Sequence, residues 1–283
     1  MSETLLNIGG LGVRLSGADS VDAAMEIPGM KTFASPDIPC TIDIRLDAKV
    51  SQARCRRLHE FDIVDGRRRC RFGVDAEGVY YFDFEGEGCV RYDARQPGEV
   101  EITAMSSMPV LRFALWSAYS IAGLRFCSVP VHSSVAVCDG KAVMCLGESG
   151  TGKSTHTRLW IDNIPDTYLL NDDSPIVRFD GGEVRVYGSP WGGKTDCFLA
   201  ENHPIAAFLR LEQCKENAIR PLGVVEGAAA LLPSCPPALA HEEHCMDLLV
   251  KFISNVIERV PVFRLGCLPD AAAALLSHNT VMG

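Results

Sequence analysis

The chain is short of basic charge. Its 283 residues hold 27 lysines and arginines against 36 aspartates and glutamates, a formal net charge of −9. A nucleic-acid reader displays a basic face, so this balance argues against nucleic acid as the main partner. No two of the twelve cysteines stand in C-x-x-C spacing. Scattered through apolar runs such as Val143-Met144-Cys145-Leu146, they read as reduced, buried thiols of a cytoplasmic protein, and a disulfide scaffold is excluded. A long uncharged apolar run is missing too. The most apolar stretch, Val110 to Cys127, contains Arg112 and Arg125, so a buried core helix over 109–126 is expected and a membrane partner is not. Met1 to Thr4 has no basic segment and Gly9-Gly10 follows closely, so no secretory leader is expected. Internal repeats and low-complexity tracts are absent.

The length allows one large domain or two smaller ones. Residues 1–98 are expected to form a smaller β-rich domain. Leu5–Ile8 and Gly12–Leu15 flank Gly9-Gly10 as a hairpin; Phe61–Val64 leads into a second through Asp65-Gly66; Val79–Phe84 and Cys89–Tyr92 make a third pair. Arg95-Gln96-Pro97-Gly98 gives the boundary signal. Residues 99–283 alternate in α/β fashion. Strands are expected on either side of Asp139-Gly140, over Thr167–Leu170, around Asp180-Gly181-Gly182 and over Ile205–Leu211. An apolar stripe from Met246 to Val260 predicts a helix that Pro261 ends.

Within that second part, Gly147-Glu148-Ser149-Gly150-Thr151-Gly152-Lys153-Ser154 is a complete phosphate-binding loop. Its glycines let backbone N–H groups turn inward as an anion nest. Lys153 is expected to reach the β- and γ-phosphates of ATP, and the Ser154 hydroxyl to ligate Mg²⁺. Lys141–Leu146 reads as the strand entering the loop and Lys153–Ile161 as the helix leaving it, carrying Thr155 in its first turn. The positive end of that helix would face the phosphates.

Three further features narrow the chemistry. If Asp139-Gly140 is a two-residue turn, positions summing to 279 face each other, and His132 falls opposite Gly147 as a metal ligand or acid/base group. Asn171-Asp172-Asp173 follows a predicted strand. One aspartate there can hold Mg²⁺ while the other takes a proton from an attacking hydroxyl. Gly188-Ser189-Pro190-Trp191-Gly192-Gly193-Lys194 has the composition of a closing flap, with Trp191 stacking on a base and Lys194 contacting phosphate or substrate, or of an ordinary loop with a packed tryptophan. His241-Glu242-Glu243-His244 lacks H-E-x-x-H spacing and reads as an exposed helix start. The arginines at 54, 56, 57, 67, 68 and 69 read as solvated hairpin edges.

The order of these parts resembles the catalytic core of HPr kinase/phosphorylase: Val131-His132, an Asp-Gly hairpin, the G-x-S-G-x-G-K-S loop, then Leu170-Asn171-Asp172-Asp173. Phosphoenolpyruvate carboxykinases share the arrangement. The resemblance covers residues 129–177. It implies an α/β P-loop kinase domain of the HPr kinase/carboxykinase type, with His132 and the aspartate pair serving metal binding and proton transfer. The region after Lys194 lacks the Arg-Pro-Gly-Arg-Asn signature, which argues against HPr as substrate. The chain therefore looks like an HPr kinase-related enzyme acting on other hydroxyl substrates, some tied to peptide modification.

The expectation is an ATP-dependent, Mg²⁺-assisted kinase for a Ser or Thr side chain or a small alcohol. The catalytic set is Asp172, His132 and Lys153. Nucleotide binding falls to Gly147 through Thr155, and metal binding to Ser154, Asp172 and Asp173. A phosphorylase running the reverse transfer would use the same residues. A nucleotide-sensing scaffold would need fewer acidic groups. Oligomeric state is open.

Overall fold

The computed structural model describes residues 2–50, 54–63, 68–193 and 195–283. They form a mixed α/β protein with two sheets and six α-helices among the described residues. The chain divides into two compact units, Met1–Phe126 with Ala238–Leu249, and Cys127–Pro237 with Val250–Gly283.

The first unit is built on an eight-stranded sheet. Its strands are β1 (Ser2–Ile8), β2 (Leu11–Gly17), β3 (Cys40–Arg45), β4 (Arg56–Ile63), β5 (Arg68–Val74), β6 (Val79–Phe84), β7 (Gly88–Asp93) and β8 (Glu99–Ile102). Their order is β1-β2-β3-β8-β7-β6-β5-β4. All three expected hairpin pairs form, although the Asp65-Gly66 turn lies outside the described residues. Arg95–Gly98 connects β7 to β8, which pair antiparallel. Asp93 fixes that turn: its carboxylate accepts from Arg95 Nε at 2.8 Å and Nη2 at 2.7 Å. A short helix, α1 (Ser20–Met25), and the long α2 (Met108–Leu124) complete this part. Pro109 suits the first turn of α2, where its missing N–H costs no hydrogen bond. Val110, Ala114, Leu115, Ala118, Ile121 and Leu124 of α2 are buried, each large aliphatic side chain adding about 1.5–3 kcal/mol by leaving water. Tyr119, fully buried, donates to the Ile8 carbonyl at 3.1 Å.

The second unit carries the nine-stranded sheet: β9 (Ser128–Pro130), β10 (Ser133–Cys138), β11 (Lys141–Leu146), β12 (Tyr168–Asp173), β13 (Ile176–Asp180), β14 (Glu183–Tyr187), β15 (Asn202–Gln213), β16 (Ala218–Pro221) and β17 (Val262–Cys267). The helices are α3 (Lys153–Asn163), α4 (Val224–Leu231), α5 (Glu243–Ile257), which begins among residues of the first unit, and α6 (Ala271–Val281). The long strand β15 organises the sheet. It pairs parallel with β11 and β17 and antiparallel with β14. Ala136, Val143, Cys145, Trp160, Leu209, Leu265 and Ala274 form one buried cluster joining sheet, α3 and α6.

All twelve cysteines are free. Burial is not universal: Cys40, Cys55 and Cys214 are exposed. Among those that are buried, desolvation pushes the thiols of Cys145 and Cys235 up to about 12, which leaves them protonated and inert. Among the described residues no helix is long and apolar enough to cross a membrane.

Candidate active site

Asp139 and Gly140 adopt φ of 49° and 72°, the left-handed pair that a two-residue hairpin turn requires. The β10–β11 register follows: Cys138 faces Lys141 and Ser133 faces Leu146. His132 thus sits at the mouth of the loop that leaves β11. In the loop, Gly150 and Gly152 stand at φ 81° and 108°, conformations that a side chain resists. Thr151 ties the loop to itself, its N–H and hydroxyl both donating to the Glu148 carbonyl at 3.2 and 2.7 Å.

The strand carrying the acidic pair is longer than the sequence suggests. β12 continues through Asn171, Asp172 and Asp173 instead of ending before them, because β10 pairs with it to the end: Ser134 faces Asp172 and Ser133 faces Asp173. Asn171 is fully buried. It accepts from Ser174 N at 3.1 Å and donates to the Ser189 carbonyl at 3.3 Å, which anchors this strand end.

These elements bring His132, Lys153, Ser154, Asp172 and Asp173 together. The Lys153 ammonium donates to the carbonyls of Gly147 (2.8 Å) and Glu148 (3.2 Å) and lies 3.0 Å from His132 Nε2. His132 Nδ1 is 3.1 Å from both the backbone oxygen and the carboxylate Oδ1 of Asp173. Both neighbours are acceptors, so the hydrogen belongs on Nδ1 and Nε2 accepts from the lysine. Ser154 Oγ donates to Asp172 Oδ1 at 2.8 Å, and Thr195 Oγ1 stands 3.4 Å from Asp172 Oδ2. Partial burial lowers the Lys153 pKa from its ordinary value; Asp173, Asp172 and Glu148 oppose the shift and Arg210 adds to it.

Two residues that the sequence does not single out join the loop from β15. Arg210 faces Leu146 across the parallel pair, and its Nη2 donates to Glu148 Oε1 at 2.9 Å. That bond lowers the Glu148 pKa. Gln213 Nε2 donates to the Gly150 carbonyl at 3.2 Å. Only the parallel pairing of β11 with β15 reveals them.

The glycine-rich segment after β14 is placed differently from an open flap. Trp191 is 2 % exposed, so its ring belongs to the packing and offers no open face to a base. Gly192 bridges Asp173, and Gly193 N–H donates to the Asp172 carbonyl at 2.8 Å. A side chain at Gly193 would meet that carbonyl oxygen at 2.5 Å. The segment therefore braces the acidic pair from behind. Lys194 lies outside the described residues.

For a divalent ion, Ser154 and Asp172 offer hard oxygen donors side by side. Among the described residues no group of three or more His, Cys, Asp or Glu is gathered for a metal. Mg²⁺ does not need one, since it keeps waters and phosphate oxygens for most of its positions.

No family model and no curated protein sequence matches the chain. Among solved structures, the HPr(Ser) kinase/phosphatase from Coxiella burnetii matches at 15% identity, covering 54% of this chain and 93% of that one, with a TM-score of 0.32. At that score the likeness carries no argument about fold or chemistry, which must come from the site.

Proposed function

We propose that this chain transfers a phosphoryl group from ATP to a hydroxyl acceptor, with Mg²⁺, and that its second unit is a P-loop kinase domain. The observation that carries the reading is the convergence on one loop of a lysine, a serine hydroxyl bonded to an aspartate, and a histidine bonded to a second aspartate. A polyphosphate needs a cation and inward N–H groups, which Lys153 and the loop from Gly147 to Thr155 supply. Ser154 and Asp172 are the residues that would hold Mg²⁺, whose charge, when bound, offsets that on the transferring phosphate.

The Ser154–Asp172 bond favours Asp172 for the metal. The acceptor's proton then falls to the His132–Asp173 pair, which divides the two roles that the sequence leaves open between the aspartates. Asp173 orients the ring through Nδ1, and Nε2 carries the lone pair that a general base requires. An accessory role for the β-rich first unit, whose sheet runs past residue 98 through β8, and a cytoplasmic setting belong to the same proposal.

The test begins with mass spectrometry of a lysate given ATP and the wild-type protein, to find which molecule gains a phosphate. On that acceptor, His132→Ala and Asp173→Asn should each lower the rate by roughly 10² or more, while Mg-ATP affinity changes only a few-fold. Near-normal rates in both would remove the assignment. Tight Mg-ATP binding with no acceptor phosphorylated would favour a non-catalytic nucleotide-binding role.

A further inference from the structure

On the far side of the loop from His132 lies a cleft of about 390 Å³. That is within the roughly 300–1,000 Å³ typical of small-molecule sites. Gly150, Thr151, Gly152 and Thr155 form one wall. His156 and Leu159 of α3 form the second, and Gln213 with Cys214 and the Cys267-Leu268-Pro269 turn the third. The cleft is therefore continuous with the phosphate loop at the side of Thr155, whereas Ser154 is turned to Asp172.

The walls have a definite chemistry. Leu159, Leu268 and Pro269 are apolar, and Leu268 is 37% exposed, a cost that a flat apolar ligand would relieve. His156 is 2 % exposed and burial holds its pKa down to about 4, so its ring is neutral. No carboxylate lines the cleft among the described residues, and the Leu268 N–H is already committed to Asn217 Oδ1 at 2.7 Å. Gln213 holds its Nε2 on Gly150. An uncharged slot of this kind suits the face of an aromatic ring, and its polar lining groups, the Thr155 hydroxyl and the Gln213 amide oxygen, can meet an N–H on the edge of either purine.

We infer that this cleft is the nucleoside subsite, that it takes a purine by stacking against Leu159, Leu268 and Pro269 with little discrimination between adenine and guanine, and that the bound base covers Cys214. The inference rests on the phosphate-loop reading and extends it to the far end of the substrate.

Calorimetry with Mg²⁺ and three probes, namely ATP, GTP and inorganic tripolyphosphate, tests it on the intact chain. ATP and GTP should bind within about three-fold of each other and at least ten-fold more tightly than tripolyphosphate. Leu268→Asn, which adds no charge beside the phosphate loop, should weaken both nucleotides at least five-fold and leave tripolyphosphate unchanged. The wild-type protein gives an independent reading. Alkylation of Cys214, followed by peptide mass spectrometry, should slow at least five-fold with saturating ATP or GTP and not with saturating tripolyphosphate. ATP no tighter than tripolyphosphate, a ten-fold preference for one purine, or Cys214 labelling unchanged by ATP would overturn the inference while the phosphate-loop reading stands. No binding by any of the three probes would remove both.

Discussion

Replacing Lys153 by methionine is the sharpest test of the loop, because the side chain is a hub. Its ammonium makes three polar contacts, to Gly147 O, Glu148 O and His132 Nε2, at 2.8, 3.2 and 3.0 Å. In the free protein the loss is partly offset. Each hydrogen bond contributes about 0.5–1.5 kcal/mol net, but the charge is buried, which already disfavours the protonated form, and Arg210 adds to that. Folding stability should therefore move by no more than about 1–2 kcal/mol. For nucleotide affinity the offset is smaller, the His132 contact given up for one with a phosphate oxygen. Bonds to charged groups are worth about 1.5–3 kcal/mol, so Mg-ATP should bind roughly 10- to 150-fold more weakly. Urea melts and calorimetry on the same preparations separate the two quantities. An affinity loss below three-fold with the fold intact would refute the reasoning, since the ammonium would then have no phosphate to face.

Two further outcomes follow from the packing behind the loop. His156 is buried with its pKa depressed to about 4, so the unfolded chain binds a proton there more readily between that value and its ordinary 6.5. Its contribution is present in full above about pH 6.5 and is lost as pH falls towards 4, an amount on the order of 3 kcal/mol. His156→Gln should flatten that limb of the stability–pH curve, and an unchanged slope would count against a buried neutral ring. Trp160, 1% exposed, donates to Ser277 Oγ at 2.9 Å. Trp160→Ala should cost about 3–5 kcal/mol in urea melts, and a loss under 1 kcal/mol would show that α3 and α6 are not joined through it.

Local signals carried much of this architecture. Asp139-Gly140 dictates a tight turn, and the turn dictates the register that sets His132 beside the loop. The loop glycines announce their own backbone conformation. What local pattern cannot express is which distant strands pair. Arg210 and Gln213 are unremarkable residues in an apolar strand until β15 is laid parallel to β11. The length of β12 escapes notice for a related reason. Asn171, Asp172 and Asp173 have turn chemistry in isolation, and only pairing with β10 and the buried bonds of Asn171 keep them extended. Trp191 among glycines looks mobile as a string of letters, but its ring is buried. Pro97-Gly98 likewise marks a change of direction without saying that paired strands lie on either side.

The contact between Lys153 and His132 makes the site an interlock. On the proposed reading, the lone pair that would accept the acceptor's proton is the one that the lysine now covers. A phosphate oxygen competing for the ammonium would draw it aside and uncover Nε2. The imidazole would then become basic towards a hydroxyl only once a nucleotide had arrived, and an acceptor docking first would meet a disarmed histidine. An acceptor could dock in either order, but the base would stay covered until the nucleotide came, and one shared hydrogen would do this without any moving lid.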